Sequence, residues 1–596
     1  MQKISKFINF KVLLGLLFIG YLFFTFYVPI ETEDVWWHLS TGRYIWEHGQ
    51  IPHDDVFSFS EDKAPWFFTQ WLGASFFYSV VHFFGLDGLK VLRALIILFV
   101  FLILFLYGRK YVPTVFLLWL IFLVSGGFLI RILIRPLIFN AIFIQCLLII
   151  LFAYQRSGNR KILAWIPLCG AIWSNIHLGS FVYGGLLIGV FLFTMLVESK
   201  FSKKILFDLG GILVLYFLSF GLSPYGFNGV LYPWKVFFIP EFLELRSFAN
   251  TIAEVSPPVF ILGLSGVSFF CFFITTVLSL IFNKDRQFSY WILFIFALFS
   301  FLLAIRNIEF FYLVCVYLIF QCAINVHLLK KWEKAKWKNG VEKSALFFLI
   351  IFLSFGIIKS INGKINNDGR EWHKLTQIYA PTTPLKAVKF LKDMNIQGII
   401  YNTDILGGYI IWEGFPGLRP FIDGRFLNPK LFYKYRLVNY DPAKYWPIVE
   451  KEYEIKIVMI ETSMPSSYKF SEYLSKHDGW SLSFIDGSVF VFLKNGAFSL
   501  PQGNQAFQDH LKAIEFRQED LETIKKFASA KVNFWHTFLS VSSEYVEELE
   551  EGLTLLGIGY EGAGLKRILK GLERVDDKTR HEKAQNVLDF FDKKYK

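Results

Sequence analysis

Eleven apolar runs constrain this chain more than any other feature of its sequence. A membrane-spanning helix needs about 20 consecutive, mostly apolar residues. The composition agrees, because 54% of the 596 residues are hydrophobic, 70 are Phe and the mean hydropathy is +0.43. Such values exceed those of soluble domains. The sequence therefore predicts a polytopic all-α membrane bundle of about 11–13 transmembrane helices, with runs at roughly 10–30, 88–107, 112–130, 137–154, 162–175, 178–197, 206–222, 259–283, 289–305, 308–328 and 345–361.

Basic segments predict how the bundle is oriented. Lysines precede the first run, and three connectors are basic: "QRSGNRK" (155–161), "ESKFSKK" (198–204) and "KKWEKAKWKNGVEK" (330–343). Short loops rich in Lys and Arg stay in the cytoplasm. The loop 31–67 and everything after residue 361 would then face outward from the cytoplasmic (inner) membrane, which requires an odd number of crossings. The run 68–86 is either a further span or a helix in the membrane interface.

The composition changes after residue 361 and predicts two further regions. Residues 1–361 would form the membrane domain, with 31–67 as its first outer loop. Residues 362–499 would form an extracytoplasmic α/β domain, since "TPLKAVKFLKDMN" is an amphipathic helix and "IQGIIYN", "KIVMIE" and "SVFVFLK" are strand-like. Residues 500–596 are polar and helical in pattern, resembling a small helical hairpin. Together, residues 362–596 would offer a surface for a protein partner.

Charge and cysteine content argue against several classes of protein. The net charge is +12, but the basic residues lie between apolar runs and no nucleic-acid-binding module is present, so no nucleic acid is expected as a partner. The five cysteines lie in or beside apolar runs, which disfavours disulfides and structural zinc. His38, His48 and His53 do not have established ligand spacing. We therefore assign no metal and no cofactor, while a divalent ion beside Asp34 stays open.

Ionisable groups at membrane boundaries are costly, so each is a candidate functional residue. On the predicted topology one such set falls near the outer side of the membrane. The arginines could clamp a lipid-linked phosphate, since guanidinium bonds phosphate oxygens in pairs. A carboxylate opposite them could deprotonate an incoming hydroxyl or amine. The set comprises Glu31, Glu33, Asp34, His38, His53, Asp54, Asp55, Arg131, Arg135, Asn175, His177, Glu254 and Arg306.

The stretch "ETEDVWWHLSTGRYIWEHGQ" (31–50) predicts a helix from Asp34. Val35, Leu39, Gly42 and Trp46 would share one face, and acidic residues suit a helix N-terminus. Trp36, Trp37, Tyr44 and Trp46 are typical of an aromatic belt at the membrane interface, so the helix would lie flat at the water–lipid boundary.

Three other motifs have ordinary structural interpretations. Asn175 and His177 could be hydrogen-bonded inside the bundle, or they could contact substrate. Asp423 and Arg425 of "FIDGR" favour an ion pair in a turn. "GGY" (407–409) is interpreted as a turn beside a strand, because no phosphate-loop sequence follows it.

These motifs resemble those of a known superfamily. The chain is similar to a bacterial branch of the GT-C glycosyltransferases. The motifs that carry this resemblance are "DVWWHLSTGRYIWEHGQIPHDDVFSFS" followed by "PWFFTQWL", then "IRPLIFN", "NIHLGS", "SPYG", "EVSPPVF" and "GGYIIW … FIDGR". That superfamily uses polyprenyl-phosphate sugars and includes protein O-mannosyltransferases and transferases that add aminoarabinose to lipid A. The resemblance covers roughly residues 10–430.

The resemblance implies a function and roles for several residues. The chain would move a sugar from a polyprenyl-phosphate carrier to an extracytoplasmic lipid, glycan or protein acceptor. Asp34 would be the catalytic base beside Glu33, and His38 and Asp55 would lie on the acceptor side. The assignment of Arg131, Arg135 and Arg306 to the donor phosphate, and of Asn175, His177 and Glu254 to the cavity, rests on the physical argument above. A transporter or flippase of lipid-linked material and a non-catalytic assembly subunit remain open alternatives.

Overall fold

A computed structural model describes most of the chain. The described residues are 2–30, 33–57, 59, 66–128, 133–226, 228, 264–283, 287–323, 338–361, 365–367, 370–372, 383–461, 465–486, 489–498, 518–529, 552, 555–556, 561–573, 584–585 and 587–588. Of the predicted functional residues, Glu31, Arg131 and Glu254 lie outside this set.

The described residues form two compact units. Unit 1 comprises Met1–Val28 and Phe67–Ile358, and unit 2 comprises Pro29–Trp66 and Lys359–Lys596. The first outer loop is thus grouped with the C-terminal region, whereas the sequence analysis assigned it to the membrane domain. The physical reason is that the side chains of the loop pack on residues of the C-terminal region, as described below.

Unit 1 is helical. Numbered along the chain, the helices that the structure describes up to residue 361 are α1 (Gln2–Phe26), α2 (Asp34–His48, in unit 2), α3 (Trp71–Phe84), α4 (Asp87–Gly108), α5 (Thr114–Phe128), α6 (Asn140–Ser157), α7 (Trp165–Ile176), α8 (Leu178–Glu198), α9 (Lys203–Leu222, with a π-helical turn), α10 (Leu264–Phe282), α11 (Gln287–Leu303), α12 (Ile308–Ala323) and α13 (Lys338–Ile361).

Six helices in the described part of the chain are long and apolar enough to cross a membrane. They are Asp87–Gly108, Pro136–Ser157, Leu178–Glu198, Lys203–Leu222, Ile305–Ala323 and Lys338–Ile358. Shorter apolar helices accompany them, among them Val12–Phe26, Thr114–Phe128, Ser268–Phe282 and Phe288–Leu303. These helices match the apolar runs of the sequence, so the prediction of a membrane helical bundle is confirmed.

Hydrogen bonds define two ends of unit 1. At the upper end, where α6 and α8 begin and α7 ends, Asn140 Oδ1 accepts from Trp173 Nε1 at 2.9 Å and from Ser180 Oγ at 2.6 Å. At the lower end, Arg156 Nη1 donates to Gln321 Oε1 at 2.6 Å. Two of the basic connectors meet there, since Lys204 Nζ donates to the Gly158 carbonyl at 3.4 Å.

Helix α3 resolves the ambiguous run 68–86. Its first residue, Trp71, donates from Nε1 to Asn175 Oδ1 at the upper end, at 2.8 Å. Helix α4 begins two residues after α3 ends, and it runs parallel to α6. Near the start of α6, Gln145 donates to the Val100 carbonyl of α4. Near the end of α6, Arg156 donates to the Tyr107 hydroxyl, close to the end of α4. Both ends of α3 therefore lie at the upper end. The helix does not cross unit 1, which favours the interfacial alternative.

Unit 2 contains a five-stranded mixed sheet. Its strands are β3 (Gly398–Asn402), β4 (Leu418–Pro420), β5 (Ile457–Glu461), β6 (Trp480–Asp486) and β7 (Val489–Lys494), after a short hairpin of β1 (Ile365–Asn367) and β2 (Arg370–Trp372). The order is β4-β3-β5-β7-β6, with β3 parallel to both neighbours and β7 antiparallel to both of its own. The three quoted strand-like runs fall in β3, β5 and β7, which confirms those predictions.

Helices surround this sheet. They are α14 (Leu385–Asp393), α15 (Asp404–Tyr409, continued by a π-helical turn, Ile410–Gly414), α16 (Pro429–Tyr440), α17 (Pro442–Glu452) and α18 (Pro465–Ser475). Tyr401 of β3 is buried and its ring contacts Tyr435 of α16, Trp446 of α17 and Phe470 of α18. These three helices therefore pack on one face of the sheet. The "GGY" prediction was wrong, because Gly407, Gly408 and Tyr409 are helical.

Two further helices lie near the end of the chain, α19 (Gln518–Ser529) and α20 (Glu561–Leu572). They share a small apolar core formed by Ile524, Leu556, Leu565, Ile568, Leu572, Ala584 and Val587.

Candidate functional site

Asp34 stands at the start of α2 and its carboxylate is held by a neighbouring indole. Trp37 Nε1 donates to Asp34 Oδ1 at 3.0 Å, one helical turn later. Asp34 also lies in the first turn, where the positive end of the helix dipole favours a negative charge. The residue is half-buried, as is Glu33, which precedes the helix. The carboxylate therefore has a fixed orientation without being closed off from solvent.

The turn after β4 approaches Asp34 closely. A Cβ atom added to Gly424 would lie 2.9 Å from Asp34 Oδ1, nearer than such atoms can normally come. A second glycine comes equally close just before α2, since a Cβ atom added to Gly408 would lie 2.6 Å from the Glu33 carbonyl oxygen. The glycines of "GGY" and "FIDGR" therefore let the C-terminal region reach the beginning of α2. The resemblance had pointed to both motifs, but their contact with Asp34 could not be read from the sequence.

Trp36 and Trp37 belong to the interior of unit 2. Trp36 is 2% exposed and Trp37 is 9% exposed. The Trp36 ring meets Tyr409 edge-on at 5.0 Å, and Trp37 lies against the buried ring of His38 at 3.6 Å. For Trp36 and Trp37 the prediction of a membrane-interface belt was wrong, because every residue from Val35 to Gly42 is buried. Only further along does α2 expose an aromatic, Trp46, which is 46% exposed.

Asp55 takes part in a buried ionic cluster with Arg425 and Asp423. Arg425 Nη1 donates to Asp55 Oδ1 at 2.9 Å, and its Nε and Nη2 donate to the two oxygens of Asp423 at 2.8 and 2.7 Å. The Arg425 side chain is 2% exposed. Burial lowers the pKa of its guanidinium, but attraction by Asp423 and Asp55 raises that pKa further, above its ordinary value, so the charge is kept.

Aromatic rings complete the surroundings of Arg425. The guanidinium carbon lies 4.8 Å from the Trp66 ring centroid and 5.3 Å from that of Phe57. The sequence had favoured an ion pair of Asp423 and Arg425 in a turn, and the structure contains that pair. The addition of Asp55 and the rings ties the first loop to the turn that touches Asp34. Asp55 is thus placed to support this turn, whereas the sequence had placed it on the acceptor side.

The remaining predicted residues lie at the upper end of unit 1. Asn175 accepts from Trp71, and its Nδ2 donates to the Ala171 carbonyl at 2.7 Å. His177 Nδ1 accepts from the Ser180 N–H at 3.1 Å and caps α8. Both residues are therefore hydrogen-bonded inside the bundle, as one of the two predictions had it. The bond between Asn140 and Ser180 was not predicted, although both residues end motifs of the resemblance, because the sequence does not show which of those motifs meet.

Arg135 and Arg306 each precede a helix at this same end. Arg135 comes directly before the 3₁₀ turn Pro136–Phe139 that leads into α6, and it is half-buried. Arg306 lies in the turn Ile305–Asn307 before α12 and is exposed. Its neighbour Asn307 accepts from the Tyr183 hydroxyl at 2.6 Å, which joins this turn to α8. The structure thus brings Arg135, Asn175, His177 and Arg306 to one end of unit 1, and Glu33, Asp34, His38 and Asp55 into unit 2.

Within the described residues, no group of three or more His, Cys, Asp or Glu side chains is arranged to hold a metal ion. Glu33 and Asp34 therefore do not form such a group with a described third ligand.

The sequence matches no family model and no curated protein. Among solved structures, the oligosaccharyltransferase of Archaeoglobus fulgidus in the apo form is similar with a TM-score of 0.51 and 13% identity, over 93% of this chain and 84% of that one. The same organism's AglB, in complex with an inhibitory peptide and a dolichol-phosphate, gives 0.48 and 14%, over 82% and 75%. ArnT from Cupriavidus metallidurans, bound to undecaprenyl phosphate, gives 0.46 and 11%, over 83% and 99%.

At these identities the comparison concerns the fold. The match to the apo oligosaccharyltransferase covers the helical bundle and the C-terminal sheet region together, since it spans 93% of the chain. The chain therefore has the GT-C-like fold predicted from its sequence, with a C-terminal α/β region.

Proposed function

We propose that this chain is a membrane glycosyltransferase that moves a sugar from a polyprenyl-phosphate carrier to an acceptor outside the cytoplasm. The fold supports this proposal, because it is similar to that of an oligosaccharyltransferase. Fold alone does not fix activity. The specific support comes from the residues around Asp34.

The observation that carries the proposal is that the Asp34 carboxylate is fixed in position by its neighbours. Its Oδ1 accepts from the Trp37 indole, and the Gly424 backbone lies against it, so the side chain has little freedom. Since Asp34 is only half-buried, an acceptor could reach it. A general base must lie within hydrogen-bonding reach of the proton that it removes, and a rigid, accessible carboxylate suits that requirement.

The proposed reaction is a single displacement at the anomeric carbon. The acceptor hydroxyl oxygen forms a bond to that carbon, while the bond between the carbon and the phosphate oxygen breaks. Asp34 takes the hydroxyl proton, and the electron pair leaves with the polyprenyl phosphate. Attack opposite the leaving group inverts the configuration. Glu33 beside Asp34 would help to orient the acceptor, and His38 would support the helix from its buried position.

The arginines at the upper end of unit 1 are proposed to bind the donor phosphate. Arg135 and Arg306 both precede helices there, and Arg306 is exposed. Guanidinium groups can stabilise the charge that develops on a departing phosphate. Arg131 and Glu254 stay in the proposal from the sequence alone. Asn175 and His177 would shape this end through their hydrogen bonds rather than by chemistry.

The proposed cellular setting follows from the basic connectors. The lower end of unit 1 would face the cytoplasm, since segments 155–161 and 198–204 lie there. By the same rule applied to the sequence, the loop 31–67 and residues 362–596 would be extracytoplasmic, and the membrane would be the cytoplasmic (inner) one. Residues 362–596 would be available to a protein partner.

Transfer from labelled donors tests the proposal. Full-length protein in proteoliposomes would be given undecaprenyl phosphate carrying radiolabelled glucose, mannose, galactose or aminoarabinose, with a membrane extract as acceptor. We expect labelled product and released undecaprenyl phosphate. Asp34→Asn should reduce transfer by about 10²–10⁴-fold, the usual contribution of a general base. Glu47→Gln is the matched control, because Glu47 is exposed on the same helix and is not among the candidate functional residues.

Other results would contradict the proposal. Full transfer by a folded Asp34→Asn variant would remove Asp34 from the chemistry. Movement of intact labelled donor across the bilayer without covalent transfer would indicate a flippase. Absence of both activities, with a cellular complex that falls apart when residues 500–596 are deleted, would indicate an assembly subunit.

A further inference from the structure

Helices α16 and α17 of unit 2 carry an exposed face that the proposed reaction does not use. Tyr433 and Tyr440 of α16 are 52% and 80% exposed, and Ile448 of α17 is 59% exposed. Exposed apolar and aromatic side chains that lie close together, unlike single scattered ones, mark sites of interaction with proteins or membranes.

The spacing of these residues places them on one side of each helix. Along α16, exposed positions recur at 430, 433, 436 and 440, which is helical periodicity. Along α17 the exposed positions are 443, 444, 447, 448, 451 and 452, which also recur with helical periodicity. The opposite sides are buried, since Tyr435 of α16 and Trp446 of α17 both contact Tyr401 of the sheet. Both exposed sides therefore point away from the sheet, and we call them together the α16–α17 face.

Basic side chains accompany the aromatic ones on this face. Lys430 and Arg436 are exposed on α16, and Lys444 and Lys451 are exposed on α17. Glu452 is also exposed on this side of α17, but it pairs with Lys434, and Glu450 pairs with Lys494 at 2.9 Å. The α16–α17 face therefore carries a positive charge with tyrosines among the cations.

We propose that the α16–α17 face docks on the surface of a bilayer that contains anionic phospholipids. Lys and Arg bind such head groups, tyrosine favours the head-group level, and an aliphatic side chain can enter the acyl boundary. Two helices packed side by side on a sheet present a broad surface rather than a groove, which suits a bilayer better than a small ligand. Unit 2 is also continuous in sequence with apolar helices at Val28 and Lys359.

Hydrogen exchange of the full-length protein tests this proposal. The protein would be placed in nanodiscs of phosphatidylcholine alone or with about 30% phosphatidylglycerol, an anionic lipid. We expect amides in 429–452 to exchange about threefold or more slowly in the anionic discs, because docking suppresses local opening. Raising the salt to about 0.5 M should remove most of the difference by screening.

Matched variants separate this face from general charge effects. The combined variant Lys430→Gln, Arg436→Gln, Lys444→Gln and Lys451→Gln should exchange equally in both discs. The control changes four exposed lysines of unit 2 outside these two helices, Lys386, Lys389, Lys392 and Lys476, to Gln, and should keep the wild-type response. Tyr433→Ser with Tyr440→Ser should weaken the protection without abolishing its salt dependence.

Three outcomes would overturn the proposal. Equal exchange of 429–452 in neutral and anionic discs would show that no lipid docks there. An equal response of wild type and the α16–α17 variant would place the lipid effect elsewhere. Protection seen only when polyphosphate is added, with no lipid effect, would show that the face binds an anionic polymer.

Discussion

Arg425 and Asp55 are separated by 370 positions in the sequence, yet Nη1 of the arginine donates to Oδ1 of the aspartate at 2.9 Å. Both side chains are almost fully buried, at 2% and 6% exposure. Since Asp423 accepts from the same guanidinium, one cation holds two carboxylates. The contact fixes the first loop to the turn that lies against Asp34.

Replacement of Arg425 should therefore destabilise unit 2 severely. Arg425→Gln would leave Asp55 and Asp423 buried without their cation, and breaking a buried pair in this way costs about 3–5 kcal/mol. Arg425→Lys should also be poor, because an ammonium cannot reproduce the planar set of bonds. Thermal unfolding of the purified protein in detergent measures the loss. Arg436→Gln, at an exposed site, is the control, and a wild-type melting temperature for Arg425→Gln would contradict this account.

Gly424→Ala should impair transfer more than it impairs folding. The added methyl group would stand 2.9 Å from Asp34 Oδ1, so either the carboxylate or the turn must move. A displacement of about 1 Å can cost 10²-fold in rate. The control is Gly417→Ala, whose Cβ would come no closer than 3.5 Å to Gln397. Donor turnover and the melting temperature would be measured for both, and normal turnover by Gly424→Ala would show that this approach does not position Asp34.

Trp36→Ala distinguishes a core residue from a membrane anchor. Removing this 2%-exposed side chain should cost about 3–5 kcal/mol, as for other large buried aromatics. Trp46→Ala, at a 46%-exposed site on the same helix, should stay within about 0.5 kcal/mol. If the two variants unfold at the same temperature, Trp36 does not act as a core residue.

Asp404 should make the stability of unit 2 depend on pH. Burial raises the pKa of its carboxyl group, although hydrogen bonds, including one with Tyr435, oppose the rise. A carboxyl with a raised folded-state pKa favours folding below its ordinary pKa of about 3.9, and this contribution is lost as pH rises through the raised value. Asp404→Asn should remove this loss of stability at higher pH, because the amide side chain stays uncharged.

Melting temperatures between pH 4.5 and 7.5 test the effect of Asp404. The advantage of Asp404→Asn over wild type should grow with pH. Asp478→Asn, at an exposed position, should follow the wild-type curve. Parallel curves for wild type and Asp404→Asn would exclude Asp404 as the origin of the pH dependence.

The bundle and the strands could be predicted from the sequence because their signals are local. The run "KIVMIE" became β5 with all five strand residues buried, and the long apolar runs became helices. The run 68–86 stayed ambiguous because its length fits both a span and an interfacial helix. The bond from Trp71 to Asn175, which decides between them, joins residues 104 positions apart.

The candidate site was only partly predictable for the same reason. Asp34 and its helix follow from the local sequence, but tryptophans beside acidic residues look alike at a membrane interface and in a protein interior. The partner that buries Trp36 is Tyr409, in a region that the sequence analysis had placed in another domain. The role of Gly424 could not be predicted from the sequence, because this glycine allows a close contact with the carboxylate of Asp34, 390 positions earlier in the chain.

The split of unit 2 along the chain has a consequence for synthesis. Asp55 leaves the ribosome 370 residues before Arg425, which at about 5–20 residues per second is a delay of roughly 20–70 s. During that interval the side chains of Trp36, Phe57 and Trp66 have no completed sheet to cover them. A nascent chain stalled within the bundle would thus display an unprotected aromatic segment, to which a chaperone could bind before translation ends.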